Sequence, residues 1–343
     1  MKLKNLYLGI IASAFLFASC SSDDDNNDAP LGVYDNGVLI LNEGNFGTPN
    51  GSVSYVSNDL ATFQNDIFKL VNTPKVLGDV AQSISFSNEK AFIVVNNSNE
   101  VEVVNRYTFK SLATITEKLE NPRYSVVLND KLYVTNSISK AVTVYDAKTY
   151  AYINSIALNK TAEKIIAANG KLYVTNAAYG SGSEVTVINP ATNTVSKTIT
   201  LENGINSIEE NNGTVYVLAG NASKSVLYKI NASTDNSTSI ESTTVKNALN
   251  MDIDGDKIYY TQGTGVYAIN LSATAFSDKA LFSVKDSTWS TFYGFGVIDG
   301  KIYSGDANAF TADGTVTVYS PAGTVLKTLT VGVGPNGFYS NNN

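Results

Sequence analysis

A short apolar segment recurs along the chain, and its spacing is the strongest constraint on the fold. The clearest copies are Lys131–Asn136 and Lys171–Asn176, which both read Lys-Leu-Tyr-Val-Thr-Asn. The seven copies begin at residues 38, 91, 132, 172, 215, 258 and 302, so the steps are 53, 41, 40, 43, 43 and 44 residues. A strand-like unit with a period of about 40–45 residues is typical of β-propeller blades. We therefore predict an all-β, seven-bladed β-propeller.

Each repeat predicts four antiparallel strands, with the second strand carrying the recurring segment. Asn169-Gly170, Asn212-Gly213 and Asp299-Gly300 precede this segment and predict tight hairpins from the innermost strand. We expect the innermost strands to be apolar on both faces, because neighbouring blades sandwich them. The first repeat has no innermost strand of its own, whereas Pro335–Ser340 resembles an innermost strand without a blade. We predict that this last segment completes the first blade and closes the ring.

We predict that the first 32 residues are a targeting segment and do not belong to the folded domain. Residues 1–19 carry two lysines and a short apolar run, as a signal peptide does. The run ends in Leu-Phe-Ala-Ser before Cys20, which resembles a lipobox; an ordinary signal peptide with an incidental cysteine is the alternative. We predict lipidation of Cys20, an acidic disordered tether over residues 20–32, and a single propeller domain over residues 33–343. The acidic tract resembles the signal that displays Bacteroidota lipoproteins outside the outer membrane, although such tracts are also plain solvated tethers.

Composition excludes several functions. The formal net charge is −7, and removal of Lys2 and Lys4 with the leader would make it −9, which disfavours nucleic acid as a partner. Histidine is absent and Cys20 is the only cysteine, so His-dependent hydrolytic triads and His-based metal sites are excluded. Glycosidases need only two carboxylates. Four acidic residues belong to the predicted rim, but nothing in the sequence pairs them: Glu43, Asp79, Glu163 and Asp306. We therefore predict no catalytic residues, no metal site and no catalytic cofactor.

A ligand site is easier to find than a catalytic one. Innermost strands begin, and second strands end, on the same face of the ring. The innermost-strand starts that we predict to bind ligand are Gln82, Arg123, Tyr124, Lys164, Asn206, Asn250, Trp289, Phe292, Tyr293 and Asn336. The second-strand ends add Asn45, Phe46, Asn97, Asn176, Asn221, Gln262 and Asp306. Amides beside aromatic rings suit a bulky neutral ligand with many amides or hydroxyls, although asparagines at strand ends also serve simply as caps.

Two long loops are predicted to raise this face on one side. They are residues 42–51 and 305–314, in the first and last blades, which become neighbours when the ring closes. We expect them to form a lip, with Phe46 and Phe310 directed towards a ligand or partner.

The repeats resemble the Tyr-Val-Thr-Asn (YVTN) family of seven-bladed propellers over about residues 33–340. The segment Leu41–Gly47, followed by Gly51–Tyr55, resembles the YncE-like surface lipoproteins of Bacteroidota. That class includes the BtuG type, which captures cobalamin on a TonB-dependent transporter, and also members with unassigned ligands. The resemblance implies a cell-surface lipoprotein of the outer membrane that binds cobalamin or a related corrinoid and passes it to such a transporter. Glycan binding and a purely protein-docking or structural role are the alternatives.

Overall fold

The computed structural model describes residues 30–178, 181–287 and 289–342. The predicted signal peptide, Cys20 and the acidic run lie outside the described residues. The described chain forms seven four-stranded antiparallel sheets, which are the blades of a propeller. The predicted all-β seven-bladed fold is confirmed.

The strands follow the sequence repeat blade by blade. Blade 1 holds β1 (Gly37–Asn42), β2 (Ser52–Ser57) and β3 (Phe63–Gln64). Blade 2 holds β4 (Ala81–Ser87), β5 (Lys90–Val95), β6 (Glu100–Asn105) and β7 (Ser111–Ile115). Blade 3 holds β8 (Pro122–Leu128), β9 (Lys131–Asn136), β10 (Ala141–Asp146) and β11 (Tyr152–Ala157). Blade 4 holds β12 (Ile165–Ala168), β13 (Lys171–Ala178), β14 (Ser181–Asn189) and β15 (Thr194–Thr200).

The remaining blades repeat the same order from the axis outward. Blade 5 holds β16 (Ile205–Asn211), β17 (Thr214–Gly220), β18 (Ser225–Asn231) and β19 (Asn236–Ser242). Blade 6 holds β20 (Leu249–Asp254), β21 (Lys257–Gln262), β22 (Gly265–Asn270) and β23 (Phe282–Ser283). Blade 7 holds β24 (Gly294–Ile298), β25 (Lys301–Asp306), β26 (Thr315–Tyr319) and β27 (Val325–Thr330), with a 3₁₀ turn at Asn308–Phe310. The last strand, β28 (Pro335–Ser340), pairs with β1.

Ring closure by the last strand is confirmed. The innermost position of blade 1 is filled by β28, which pairs antiparallel with β1 from Val38 opposite Ser340 to Leu41 opposite Gly337. Beyond β28, the side chain of Asn341 is fully buried and donates to the carbonyl oxygen of Tyr34 at 2.6 Å. The two ends of the folded chain therefore hold each other.

The hairpin turns have the backbone conformation that their sequences predict. Asn169, Asn212 and Asp299 have φ values of 45°, 49° and 50°, and the glycine that follows each of them is also at positive φ. Asparagine, aspartate and glycine tolerate this region better than other residues do, which fixes the register of the following strand.

The core lies between blades rather than in one centre. Second strands are almost fully buried, and the tyrosines of the repeat, such as Tyr133, Tyr173 and Tyr303, pack against the neighbouring blade. The Tyr173 hydroxyl also donates to Asp235 Oδ1 at 2.6 Å, which joins blade 4 to blade 5. Burial of such large side chains between blades stabilises the ring as a whole.

The long first step of the repeat contains a helix that the sequence did not predict. Helix α1 (Ile67–Asn72) follows β3 and buries Ile67 and Phe68 between blades 1 and 2. The Asn72 amide nitrogen donates to Phe109 O at 2.9 Å and so ties the helix to blade 2. No helix in the described part of the chain is both long enough and apolar enough to cross a membrane.

Candidate functional site

A cavity of about 1110 Å³ opens on the face where the innermost strands begin. Most of the predicted site residues line it: Asn45, Phe46, Gln82, Arg123, Tyr124, Lys164, Asn206, Asn250, Trp289, Tyr293 and Asn336. They are contributed by all seven blades, because the innermost strands converge around the axis. The structure thus brings together residues that are up to 291 positions apart, between Asn45 and Asn336.

Six predicted residues do not line the cavity. Phe292 is buried and packs edge-on against Phe295 at a centroid distance of 5.8 Å, so its side chain belongs to the core between blades 6 and 7. The others lie at second-strand ends: Asn97, Asn176, Asn221, Gln262 and Asp306. These ends are one strand farther from the axis, roughly 5 Å. The radial offset keeps these five second-strand ends out of the cavity, whereas the second-strand ends Asn45 and Phe46 reach it on the long loop of the first blade.

The polar side chains at the second-strand ends have local structural partners. Asn97 Nδ2 donates to Asp79 Oδ2 at 2.5 Å, and Asn176 Nδ2 donates to Thr161 O at 2.9 Å. Asn221 Oδ1 accepts from the backbone nitrogen of Lys224 at 3.1 Å. Asp306 Oδ1 accepts from Ser287 Oγ at 2.8 Å. Gln262 lies opposite Gly265 at the β21–β22 hairpin. For the asparagines and Asp306, the capping role is the one that the structure shows.

The two long loops meet at the cavity mouth, as predicted. Asn45 Nδ2 donates to the carbonyl oxygen of Phe310 at 2.8 Å, and Phe46 and Phe310 both line the cavity. Phe310 contacts Trp289 and Tyr293 edge-on at centroid distances of 5.2 and 5.1 Å, and Trp289 lies 5.4 Å from Tyr293. We call Trp289, Tyr293 and Phe310 the aromatic lip. Trp289 is 57% exposed and Phe46 is 80% exposed, so apolar surface faces the opening.

The rim amides form hydrogen bonds within the protein, and two of these bonds join neighbouring blades. Asn206 Nδ2 donates to Ala248 O at 3.0 Å, and Asn336 Nδ2 donates to Ala81 O at 3.1 Å. Asn250 Nδ2 donates to Thr261 Oγ1 at 3.1 Å. The amide oxygen of Asn336 is buried and has no hydrogen-bond partner among the described residues. A buried acceptor of this kind is costly unless a ligand or water completes it. The Asn336 amide oxygen is therefore unsatisfied within the protein and closed to the cavity in this conformation.

The basic side of the cavity is built from Arg123 and Lys164. Arg123 forms an ion pair with Glu163 at 2.7 Å and donates to Gln82 Oε1 at 2.6 Å. The Lys164 ammonium lies 5.9 Å from the centre of the Tyr124 ring. Burial raises the pKa of Tyr124 to about 12, and the negative charge of Glu163 adds to this rise. The Tyr124 side chain is therefore uncharged at physiological pH and forms part of the cavity wall.

Two carboxyl groups that the sequence analysis missed, Glu209 and Asp252, lie deeper in the cavity on β16 and β20. Burial raises the pKa of Glu209 to about 8 and that of Asp252 to about 6. The charge of Asp252 adds to the rise at Glu209, whereas Lys164 opposes the rise at both groups. Innermost strands were expected to be apolar on both faces, and this expectation is wrong because one face borders the central cavity.

Glu43 joins the aromatic lip to the first blade. The Tyr293 hydroxyl donates to Glu43 Oε2, which links blade 7 to the end of β1. Burial raises the pKa of Glu43 to about 7, although Arg123 opposes the rise. Of the four carboxylates considered for glycoside chemistry, Glu43 alone lines the cavity.

Solved structures with a similar fold carry unrelated names. A quinonprotein alcohol dehydrogenase-like protein from Bacteroides thetaiotaomicron VPI-5482 has a TM-score of 0.72 at 16% identity, covering 90% of this chain and 79% of that one. Hydrazine synthase of Kuenenia stuttgartiensis has a TM-score of 0.60 at 15% identity, covering 75% and 88%. BamB from Moraxella catarrhalis has a TM-score of 0.53 at 15% identity, covering 88% and 85%. At these identities the likeness shows the propeller fold alone, and the fold does not decide between catalysis and binding.

No curated protein matches the sequence. A family model does match, over residues 36–299, and this span runs from the start of blade 1 to the β24–β25 turn of blade 7. The matched span covers most of the propeller, and the chain therefore belongs to the family described as a domain of unknown function (DUF5074).

Proposed function

We propose that this protein binds cobalamin or a related corrinoid in the central cavity, without chemical conversion. The observation that carries the proposal is the cavity itself, which combines a volume of about 1110 Å³ with aromatic and amide walls. Ligand pockets for drug-sized molecules span about 300–1000 Å³, so this cavity suits a larger molecule. A corrinoid of about 90 non-hydrogen atoms is of the right class.

The chemistry of the walls supports the same ligand. The aromatic lip offers flat apolar surface at the mouth, where a broad macrocycle can pack. The rim asparagines donate to protein acceptors, whereas the buried Asn336 oxygen has no protein donor. The primary amides around a corrin ring both donate and accept hydrogen bonds, and the polar side chains that line the cavity complement both kinds of group.

The acidic residues at the rim support binding rather than glycoside hydrolysis. Glu163 is paired with Arg123, and Asp79 accepts from the Gly47 backbone nitrogen at 3.1 Å. Glu43 accepts from Tyr293. Each of these carboxylates has a partner in a loop or blade contact, and this role accounts for its presence without a catalytic one.

The proposal extends to the cellular setting that the N-terminal sequence predicts. In this proposal the lipid on Cys20 holds the protein in the outer membrane, the acidic tether places it on the cell exterior, and the ligand passes to a TonB-dependent transporter. Protease treatment of intact cells tests the placement. A wild-type protein that is cleaved only after cell lysis would contradict surface display.

Calorimetric titration with cyanocobalamin and dicyanocobinamide tests the ligand. We expect one corrinoid per chain with a dissociation constant well below 1 μM, because the aromatic lip offers packing surfaces and hydrogen bonds between the blades hold the walls in place. Absence of heat and of co-migration with either corrinoid would contradict the proposal.

Glycan binding is the second candidate, and the exposed aromatic side chains favour it. Trp289 and Phe46 are exposed at the mouth, and aromatic rings of this kind stack on sugar faces. A glycan array supports this alternative if sugars bind to the wild type and not to a Trp289→Ala variant.

A further inference from the structure

Most charged side chains around the cavity have a partner within the protein. Arg123 pairs with Glu163, and Tyr293 donates to Glu43. Asp252 Oδ2 accepts from the Val297 backbone nitrogen at 2.6 Å. Hydrogen bonds of this kind offset the cost of removing charge from water.

Lys164 is different from the other cavity cation. Among the described residues its ammonium makes no hydrogen bond and no ion pair; it lies over the face of Tyr124 at 5.9 Å, and its charge acts on Glu209 and Asp252 from farther away. Two lysines elsewhere show what a paired ammonium looks like: that of Lys75 lies 2.8 Å from Glu102, and that of Lys171 lies 2.8 Å from Asp235. A partly buried ammonium that lines the cavity and has no hydrogen-bond acceptor in the protein is placed to bind an anionic group of a ligand.

The backbone holds Lys164 at the rim, above the deeper carboxyl groups. Its backbone nitrogen donates to Thr175 Oγ1 at 3.1 Å, directly before β12 begins. Glu209 lies three residues along β16 from the rim residue Asn206, which corresponds to roughly 10 Å of depth. An anion held at the level of Asn206 would therefore lie roughly 10 Å from Glu209 along the axis.

We propose that Lys164 pairs with an anionic group of the bound ligand and thereby determines which corrinoids bind tightly. This inference rests on the proposed corrinoid function. In cobalamin the anionic group is the phosphodiester that links the corrin ring to the lower base. Cobinamide lacks both the phosphodiester and the base, so it cannot form this ion pair.

The test compares two ligands and three variants. For the wild type, we expect cyanocobalamin to bind at least tenfold more tightly than dicyanocobinamide. In Lys164→Gln, the affinity for cyanocobalamin should fall at least tenfold, while that for dicyanocobinamide should change less than twofold. Lys164→Arg keeps the charge and should retain most of the discrimination. Lys160→Gln is the matched control, because Lys160 already pairs with Glu184 at 2.7 Å, and it should leave both affinities unchanged.

The outcomes separate this inference from the proposed function. If the wild type binds both corrinoids and Lys164→Gln weakens both by the same factor, then Lys164 acts only through the structure of the cavity, and the inference is wrong. Equal affinity of the wild type for both ligands would also contradict it. Binding of neither corrinoid would contradict the proposed function and the ion pair with it.

Discussion

Trp289 and Tyr293 form the part of the aromatic lip in which ring packing on a ligand is easiest to test. Changing both to alanine should weaken corrinoid binding by several kcal/mol, mainly through faster dissociation, because aromatic anchors contribute most of the energy at such surfaces. Stopped-flow displacement measures the dissociation rate. Ile138→Ala is the control, since Ile138 is 69% exposed just beyond the end of β9 and does not line the cavity. If the dissociation rate of the double variant is unchanged, the ligand does not pack on the aromatic lip.

Glu209 should make the stability of the protein depend on pH. Its folded-state pKa of about 8 lies above the ordinary value of 4.5 because of burial and the charge of Asp252. Between these values the folded state holds a proton that the unfolded state has released, so the free energy of unfolding falls as pH rises from about 4.5 to about 8. In Glu209→Gln this carboxyl group is absent, so its contribution to the fall in unfolding free energy is removed. We expect the variant to be more stable than the wild type at pH 8.5, by on the order of 1–3 kcal/mol, with a smaller difference at pH 5.

Urea denaturation at pH 5, 7 and 8.5 measures this pH dependence. Glu210→Gln serves as the control, because Glu210 is the exposed neighbour of Glu209. A Glu209→Gln protein whose stability falls with pH as steeply as the wild type would show that Glu209 does not hold the proton.

Individual cavity residues on the innermost strands could be predicted from the sequence, because the same position of each repeat faces the axis of the ring. Innermost-strand starts such as Gln82 and Asn336 were found because counting within the repeat places them. Glu209 and Asp252 were missed because a strand between two blades was taken to be apolar on both faces. Phe292 was misplaced because one residue of shift turns a side chain from the axis into the core. A carboxyl group within an innermost strand is a signal that could have identified Glu209 and Asp252.

At the scale of elements, the closing strand β28 bears directly on stability. Deleting residues 334–343 removes β28 and exposes the backbone edge of β1, which is otherwise paired along its length. We expect the free energy of unfolding to fall by more than about 4 kcal/mol, and the truncated chain to aggregate. Thermal unfolding and light scattering measure both effects. Truncation after Asn341 is the control, because it keeps β28 and the buried Asn341 side chain. A melting temperature unchanged by the longer deletion would contradict the closing role.

The strands were predictable because each repeat carries its own turn and register signals, and the helix was not. Asn-Gly and Asp-Gly turns fixed the hairpins at residues 169–170, 212–213 and 299–300. Helix α1 has six residues and leaves Leu70 57% exposed, so it shows no extended apolar periodicity. Its formation depends on Ile67 and Phe68 finding space between two blades, which is a tertiary effect.

At the scale of the whole molecule, hydrogen bonds between neighbouring blades hold the walls of the site together. Backbone and side-chain bonds link successive blades beneath the rim, including Ser83 Oγ to Arg123 O at 2.9 Å and the Met251 backbone nitrogen to Ser207 Oγ at 3.0 Å. A preformed site spends little free energy on ordering when a ligand binds. At roughly 0.3 kcal/mol per non-hydrogen atom, a ligand of about 90 atoms would nominally gain ~27 kcal/mol, above the practical limit of ~18–21. Tight binding therefore requires no bond between the protein and cobalt.

The protein needs no cobalt ligand for tight binding, and none of its 343 residues is a histidine. No imidazole is available to replace the lower base of cobalamin or the water of aquocobalamin, so we expect cobalt to keep its own axial ligands in the complex. The absorption bands of bound cyanocobalamin and aquocobalamin should then stay within a few nanometres of those of the free compounds. Free imidazole added to aquocobalamin is the positive control, because exchange of the axial water shifts these bands. A comparable shift on mixing the protein with aquocobalamin would show that a protein group binds the metal, and recognition would then involve cobalt as well as the periphery of the ring.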